Sequence, residues 1–286
     1  MISVSTLDGI SPKSAPTTMN HAIRTTLFPG ARHKAVTFSY DDGTIHDRRL
    51  VEVFNHYRLR GTFHLNSGTL GKPNYLAPEE VAPLFVGHEV SAHSVTHPHL
   101  ETLPLESLAG ELLEDRRALE SLVGYPVRGM SYPFGSYDTR VVQSLPYYGI
   151  EYARTIASHG SFHLPDDFLR WHPTCHHNSD LEQKTAAFLA SPTKNRLQLL
   201  YVWGHSYEFD RNDNWELIER FGAQITAAHD DVWLATNIEI KDYCAALRQL
   251  RTSVSGDILQ NLSHLPLWIS LDGEARELAP GQTLNL

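Results

Sequence analysis

Short apolar, β-prone runs alternate with helix-spaced segments along most of this chain, and that grammar constrains its fold more than any other feature. "HKAVTFSY" (33–40) is a strand candidate that ends in a polar cluster. "DRRLVEVFNHYRLR" (47–60) then places Leu50, Val53, Phe54 and Tyr57 on one helix face. "GTFHLN" reads as a strand, "PEEVAPLF" as a short helix opened by proline, and "HEVSAHS" as another short strand. "LESLAGELLEDRRALESLV" (105–123) is a helix with Leu105, Leu108, Leu112 and Leu119 on its apolar stripe. The pattern continues with "RGMSY", "EYART", "LQLLYVWG" and "VWLAT" as strands. Between and after them, "DTRVVQSLPYY", "LEQKTAAFLA", "NWELIERFGAQITAA" and "IKDYCAALRQLRTS" have helical spacing. Strands alternating with helices imply parallel strands joined by crossovers, hence an α/β sheet or barrel.

Both ends depart from this grammar. Residues 1–30 are rich in Ser, Thr and Pro and read as an irregular arm. From about residue 255 the pattern becomes alternating and strand-like, with Asp272-Gly273 at a hairpin-turn position. The expected organisation is an arm over 1–30, a main α/β domain over 31–254 and a small β-hairpin appendage over 255–286. No internal repeat or low-complexity tract interrupts it.

Composition excludes several classes. The 286 residues carry 24 basic and 33 acidic side chains, a formal charge of −9, which argues against nucleic acid or an anionic membrane as partner. Two cysteines, Cys175 and Cys244, are too few for a disulfide framework. No apolar run approaches the ~20 residues of a membrane helix. The first twenty residues lack a signal-peptide pattern, so a cytoplasmic location is expected. Seventeen histidines are many, and histidine is both a common metal ligand and a frequent acid/base.

In α/β folds chemistry gathers at the C-terminal ends of strands. Four polar clusters fall at such ends. "YDDG" carries Asp41 and Asp42, "AHSVTH" carries His93 and His97, a strand beginning at Arg128 ends in "SYPFG", and "WGHSYEF" carries His205. On a helical turn, His93 and His97 at i and i+4 would share a face and could reach one ion. With Asp42 they would make a three-ligand site with open positions, as in a catalytic zinc centre. Adjacent side chains on a strand point opposite ways, so Asp41 and Asp42 would have different jobs: Asp41 as general base, Asp42 as ligand. Asp-Gly after a strand is equally an ordinary turn. Arg128 is either a surface ion-pair partner or a guanidinium that orients Asp41 and keeps it ionised. His205 is either a satisfied core histidine or an acid at the rim of the site.

Taken together, "SYDDG", "HSVTHPHL", "RGMSYPFG" and "WGHSYEF", in this order over roughly residues 34–236, resemble the polysaccharide deacetylase (NodB-homology) family, carbohydrate esterase family four. The resemblance implies a distorted (β/α) barrel, usually of seven strands, and hydrolytic removal of acetyl groups. It implies Asp41 as base, Asp42, His93 and His97 as metal ligands, Arg128 as the residue that tunes the base, the Tyr132 amide as an oxyanion donor and His205 as acid. The implied cofactor is one divalent ion, zinc first, with cobalt or nickel as alternatives. Trp171, Trp203 and Tyr207 are candidates for stacking on sugar faces, or else core and rim aromatics.

Three features differ from the family pattern. Thr44 stands where many members have proline. The aspartate that often supports the acid histidine has only Asp166 and Asp167 as candidates. "WHPTCHHN" brings His172, Cys175, His176 and His177 together, as a second metal site or as a polar loop. The expected substrate is an acetylated amino sugar or short oligosaccharide. The alternatives are a cyclic amide, as for allantoinase-like relatives, and a non-catalytic carbohydrate-binding role. The oligomeric state is left open.

Overall fold

The computed structural model describes residues 21–192 and 196–286. In chain order the elements are β1 (Ile23–Arg24), β2 (Lys34–Asp42), α1 (Asp47–His56), β3 (Gly61–Leu65), α2 (Pro78–Leu84), β4 (Glu89–Ala92), α3 (Leu105–Val123), β5 (Gly129–Ser131), α4 (Thr139–Ser144) and β6 (Tyr152–Arg154). The second half adds β7 (Cys175–His176), α5 (Leu181–Ala190), β8 (Gln198–Gly204), α6 (Tyr207–Arg211), α7 (Trp215–Ala227), β9 (Val232–Leu234) and α8 (Asn237–Leu247). Five short strands complete the chain: β10 (Leu250–Thr252), β11 (Ile258–Asn261), β12 (Leu267–Leu271), β13 (Glu274–Leu278) and β14 (Thr283–Asn285).

The alternation builds what it implies. Seven parallel strands run in the order β6-β5-β4-β3-β2-β8-β7, an α/β half-barrel. An eighth, β9, pairs with the first residues of β2, Lys34 to Val36. β8 runs along one edge of β2 from Lys34 to Tyr40, so β9 must use the other edge, which β3 takes over at Phe38.

Both faces of this sheet are buried, yet they differ in chemistry. On β2, Val36, Phe38 and Tyr40 point outward into the main apolar core with Leu50 and Phe54 of α1 and Phe221 of α7. Thr37, Ser39 and Asp41 alternate with them and face the interior of the half-barrel. There several of the polar groups pair with one another. Glu89 accepts from Thr62 Oγ1 at 2.8 Å and Tyr152 OH at 2.7 Å. Asn237 joins Thr37 at 2.8 Å to Tyr201 OH at 2.6 Å. Buried polar groups cost free energy unless they find such partners. Gly129 makes room for this network: a Cβ there would lie 1.9 Å from Cζ of Tyr152.

Several expectations are corrected. The helix read through residue 253 stops at Leu247, because Leu250–Thr252 pairs antiparallel with β11. Leu105, placed on the apolar stripe of α3, is half exposed at the helix start, whereas Leu108, Leu112 and Leu119 are buried. Of the arm expected over residues 1–30, residues 1–20 lie outside the described residues. Beyond them, Ile23–Arg24 adds a strand to β12. The C-terminal strands form two three-stranded sheets, β1-β12-β13 and β10-β11-β14, over a small core of Leu259, Ile269 and Leu278. Among the described residues, no helix is long and apolar enough to cross a membrane.

Trp171 is a core residue and not a sugar platform. It is 1% exposed and packs between Tyr152, Phe168 and Tyr201, with ring centroids 5.6, 4.9 and 4.7 Å away. Trp171→Ala is therefore expected to cost about 3–5 kcal/mol of stability, read as a lower urea midpoint. A variant of unchanged stability would put Trp171 back at the surface.

Candidate active site

Asp41 and Asp42 end β2, and the two carboxylates diverge as alternation requires. Asp41 points into the half-barrel. Its Oδ2 accepts from Arg154 Nη2, and its Oδ1 accepts from Ser131 Oγ at 3.0 Å. Burial alone would raise its pKa, but Arg154 and then His93 hold the carboxyl far below the usual range. Asp41 is thus an ionised carboxylate in a dry place.

Asp42 turns the other way, at a φ of 83°. His93, just beyond β4, has Nε2 3.7 Å from Asp42 Oδ1, and His97 Nε2 is 3.9 Å from the same oxygen. The donor atoms of Asp42, His93 and His97 lie within 4.8 Å of one another, so the three can hold one metal ion. The hydrogen bonds fit that use. His93 Nδ1 lies 2.9 Å from the Ser131 carbonyl, which can only accept, so the proton sits on Nδ1 and the Nε2 lone pair faces Asp42. Ser131 Oγ, 2.7 Å from the same Nδ1, passes its own proton toward Asp41. The His93 amide is fixed by Asp115 Oδ2 at 3.0 Å, a buried carboxyl of α3.

The four-residue spacing of the histidines does not reflect a helical turn. β4 ends at Ala92, and the chain then bends through Ser94 and His97, both at positive φ (66° and 59°). That bend, held by the His97 amide on Ser94 Oγ at 3.1 Å, brings the rings to 4.7 Å. Strained backbone of this kind costs of order 1–3 kcal/mol per residue and concentrates at functional sites.

Two residues expected at the base lie or act elsewhere. Arg128 precedes β5, at the opposite end of the sheet from Asp41, and pairs with Glu151 and Asp242. The guanidinium beside Asp41 belongs to Arg154, the last residue of β6, whose Nε also donates to Ser39 at 3.1 Å. In register, Arg154 pairs with Ser131, so both partners of Asp41 come from one rung of the sheet. The Tyr132 amide is not free for an oxyanion either. It donates to the Arg154 carbonyl at 3.0 Å, and its phenol donates to the Leu169 carbonyl at 2.7 Å. The signal for Arg154 was present: "EYART" reads as a strand, and an arginine ends it.

His205 follows β8 and faces Asp42, with Nε2 4.0 Å from Oδ2. The carboxylate on its other side is Glu208, 3.5 Å from Nδ1 and 3.2 Å from its backbone nitrogen. Asp166 and Asp167 instead line a separate cavity of about 240 Å³ with His159, His163, Arg170 and His172. Burial lowers the pKa of His205, but Glu208, Asp41 and Asp42 together leave it raised. Trp203 and Tyr207 flank His205 with centroids at 6.0 and 5.1 Å, and the Arg154 guanidinium lies 4.6 Å over the Trp203 ring. Phe134, which sequence reasoning did not single out, is 53% exposed and stacks on His99 at 4.2 Å beside His97.

Comparison with known proteins bears on the family and the fold. The polysaccharide deacetylase family model matches residues 29–153, from the arm through β6. That stretch, a little under half of the chain, is similar to the polysaccharide deacetylase family. A chitin deacetylase of Cryptococcus neoformans var. grubii is 30% identical over 105 residues, 36% of this chain and 22% of that protein. The matched stretch thus spans about a fifth of that relative's length. A polysaccharide-deacetylase-type structure from Mycobacterium smegmatis shares the fold, with a TM-score of 0.57 at 18% identity over 85% of this chain and 96% of that one. A family 4 carbohydrate esterase from Streptomyces lividans, in complex with acetate, is 15% identical over 70% of this chain and 90% of that one, with a TM-score of 0.47.

His64 lies in register with Asp41, fully buried behind it. Burial chiefly holds its pKa down, at about 3. The unfolded chain binds that proton near pH 6.5 and the native state refuses it. Its contribution is therefore complete above pH ~6.5 and is lost as pH falls toward 3, by about 1.4 kcal/mol per unit. His64→Asn should flatten the pH dependence of the urea midpoint over this window. An unchanged slope would mean that His64 is protonated in the fold.

Proposed function

We propose that the protein hydrolyses the acetyl group of N-acetylated amino sugars or their short oligosaccharides. One observation carries this reading: a buried, ionised carboxylate, Asp41, stands beside a three-donor metal set and across from His205. A divalent ion held by Asp42, His93 and His97 would polarise the acetyl carbonyl and acidify an attacking water. Zinc, cobalt and nickel all suit an imidazole–carboxylate donor set.

The chain's own residues supply the proton traffic. Asp41 takes the proton of the attacking water. Arg154 and Ser131 aim its carboxylate and keep it ionised until that moment. His205, opposite, gives a proton to the departing nitrogen through Nε2 while Glu208 holds the Nδ1 side of the ring. No covalent intermediate is needed. The exposed ring of Phe134 and the partly exposed rings of Trp203 and Tyr207 offer faces for a sugar at the rim.

Acetate release from N-acetylated chito-oligosaccharides, before and after chelation and with zinc, cobalt or nickel restored, tests the reading. Chelation should abolish release and metal should restore it. Asp41→Asn should lower kcat by about 10²-fold or more while elemental analysis still finds the metal. His205→Ala should slow amides more than activated esters, whose leaving groups need less protonation. Metal bound without acetate release would turn the assignment toward non-sugar C–N bonds such as cyclic amides.

A further inference from the structure

A second knot of imidazoles lies on the far side of His205 from Asp42. There Glu208 Oε2 gathers three ring nitrogens: His176 Nε2 at 2.9 Å, His177 Nε2 at 3.3 Å and His205 Nδ1 at 3.5 Å. The donor atoms of His176, His205 and Glu208 all lie within 4.8 Å of one another. His205 therefore spans two clusters, with Nε2 toward Asp42 and Nδ1 toward Glu208.

Sheet register builds this knot. β7 lies parallel to β8, with His176 opposite Trp203, and Glu208 returns to His205 one turn later. The His177 ring fits against Gly204, where a Cβ would meet its Nδ1 at 2.0 Å. The fit leaves polar atoms unserved. His177 is fully buried, and neither of its ring nitrogens has a hydrogen-bond partner of good geometry. His205 Nδ1 is buried too, and Glu208 Oε2 meets it at 3.5 Å, longer than a well-formed hydrogen bond.

Distances bear on what the knot can hold. Bonds of about 2.0–2.2 Å to nitrogen and oxygen give a coordination tetrahedron an edge of roughly 3.3–3.6 Å. The Glu208 separations from His176 and His205, 2.9 and 3.5 Å, lie on either side of the shorter edge, and the 3.7 and 3.9 Å of the Asp42 set lie just above the longer one, so both sets are near ligand spacing.

We propose that His176, His205 and Glu208 form a second divalent-cation site, for an ion of the zinc, cobalt or nickel type, distinct from the one at Asp42. Ligation through Nδ1 leaves Nε2 of His205 facing Asp42. It also places a dication on the ring assigned as the acid, so metal beyond the first equivalent should slow turnover. That last consequence rests on the function proposed above; the site itself does not.

The test is a metal count on the full chain. Chelator-stripped protein is loaded with Co²⁺ or Zn²⁺, desalted and assayed by elemental analysis. Two equivalents are expected in the wild type, one in Glu208→Gln, one in Asp42→Asn and none in the double variant. One equivalent in the wild type would overturn the proposal. So would two equivalents that persist in both Glu208→Gln and His176→Gln, since the second ion would then lie elsewhere. Circular dichroism of the stripped proteins checks folding. Should Glu208→Gln not fold, His176→Gln, at a partly exposed ring, reads the same count. Inhibition on passing from one equivalent to two, absent in His176→Gln, is expected. A second equivalent without inhibition would keep the site and overturn its effect through His205.

Discussion

The ion pair between Arg154 and Asp41 is the contact on which the site depends. Both partners are almost wholly removed from water, and an unpaired charge there would cost several kcal/mol. The pair is bearable because every neighbour contributes. Ser39 takes the Arg154 Nε proton, Ser131 donates to the second oxygen of Asp41, and the Trp203 face covers the guanidinium. The half-barrel interior is polar for the same reason. A strand that must carry a buried carboxylate on one face needs polar side chains along that face, and Thr37 and Ser39 of β2, Thr62 and His64 of β3, and Glu89 and Ser91 of β4 supply them. The apolar cost of doing so is met on the outer face, where phenylalanines and aliphatic residues pack against the helices.

The ligand set depends on strain. Asp42, Ser94 and His97 all sit at positive φ, where non-glycine residues are uncommon. The surroundings hold them there. Asp115 fixes the His93 amide, Asn66 Nδ2 donates to the His93 and Ser94 carbonyls, and Glu111 holds the Thr96 amide and hydroxyl. These polar partners come from β3's end and from α3, so the bend that gathers the histidines is anchored by elements on both sides of it.

Much of this was legible in the sequence. The alternation gave the half-barrel, and the rule that chemistry gathers at strand ends singled out Asp41, Asp42, His93, His97 and His205, which the structure brings together. Where the reading failed, it failed on register. Arg128, the tuning residue that the family resemblance implies, opens the strand that leads to "SYPFG", and the opening of a strand lies at the wrong end of the sheet. Arg154 closes its neighbour, at the same rung as Ser131. The Tyr132 amide was lost to the same ladder, because a backbone group beside a paired strand is usually spent on that pairing. Trp171 shows the limit of composition: an aromatic near polar loops is no platform when three rings enclose it. The carboxylate beside His205 comes not from the loop of Asp166 and Asp167 but from Glu208, in the turn that follows it.

Strand order explains why the site forms where it does. β2 pairs with three strands, more than any other, and is the first of the sheet in sequence. On one side β3 and β4 bring the loop of His93 and His97; on the other, β8 brings His205, more than a hundred residues later. Asp41 and Asp42, at the end of that central strand, are placed where loops from both sides must converge. A carboxylate at the end of an edge strand could meet only one set. The next strand beyond β8 is β7, and it carries His176. His205 therefore stands between two histidine clusters for a topological reason: its strand, β8, lies between β2 and β7 in the sheet.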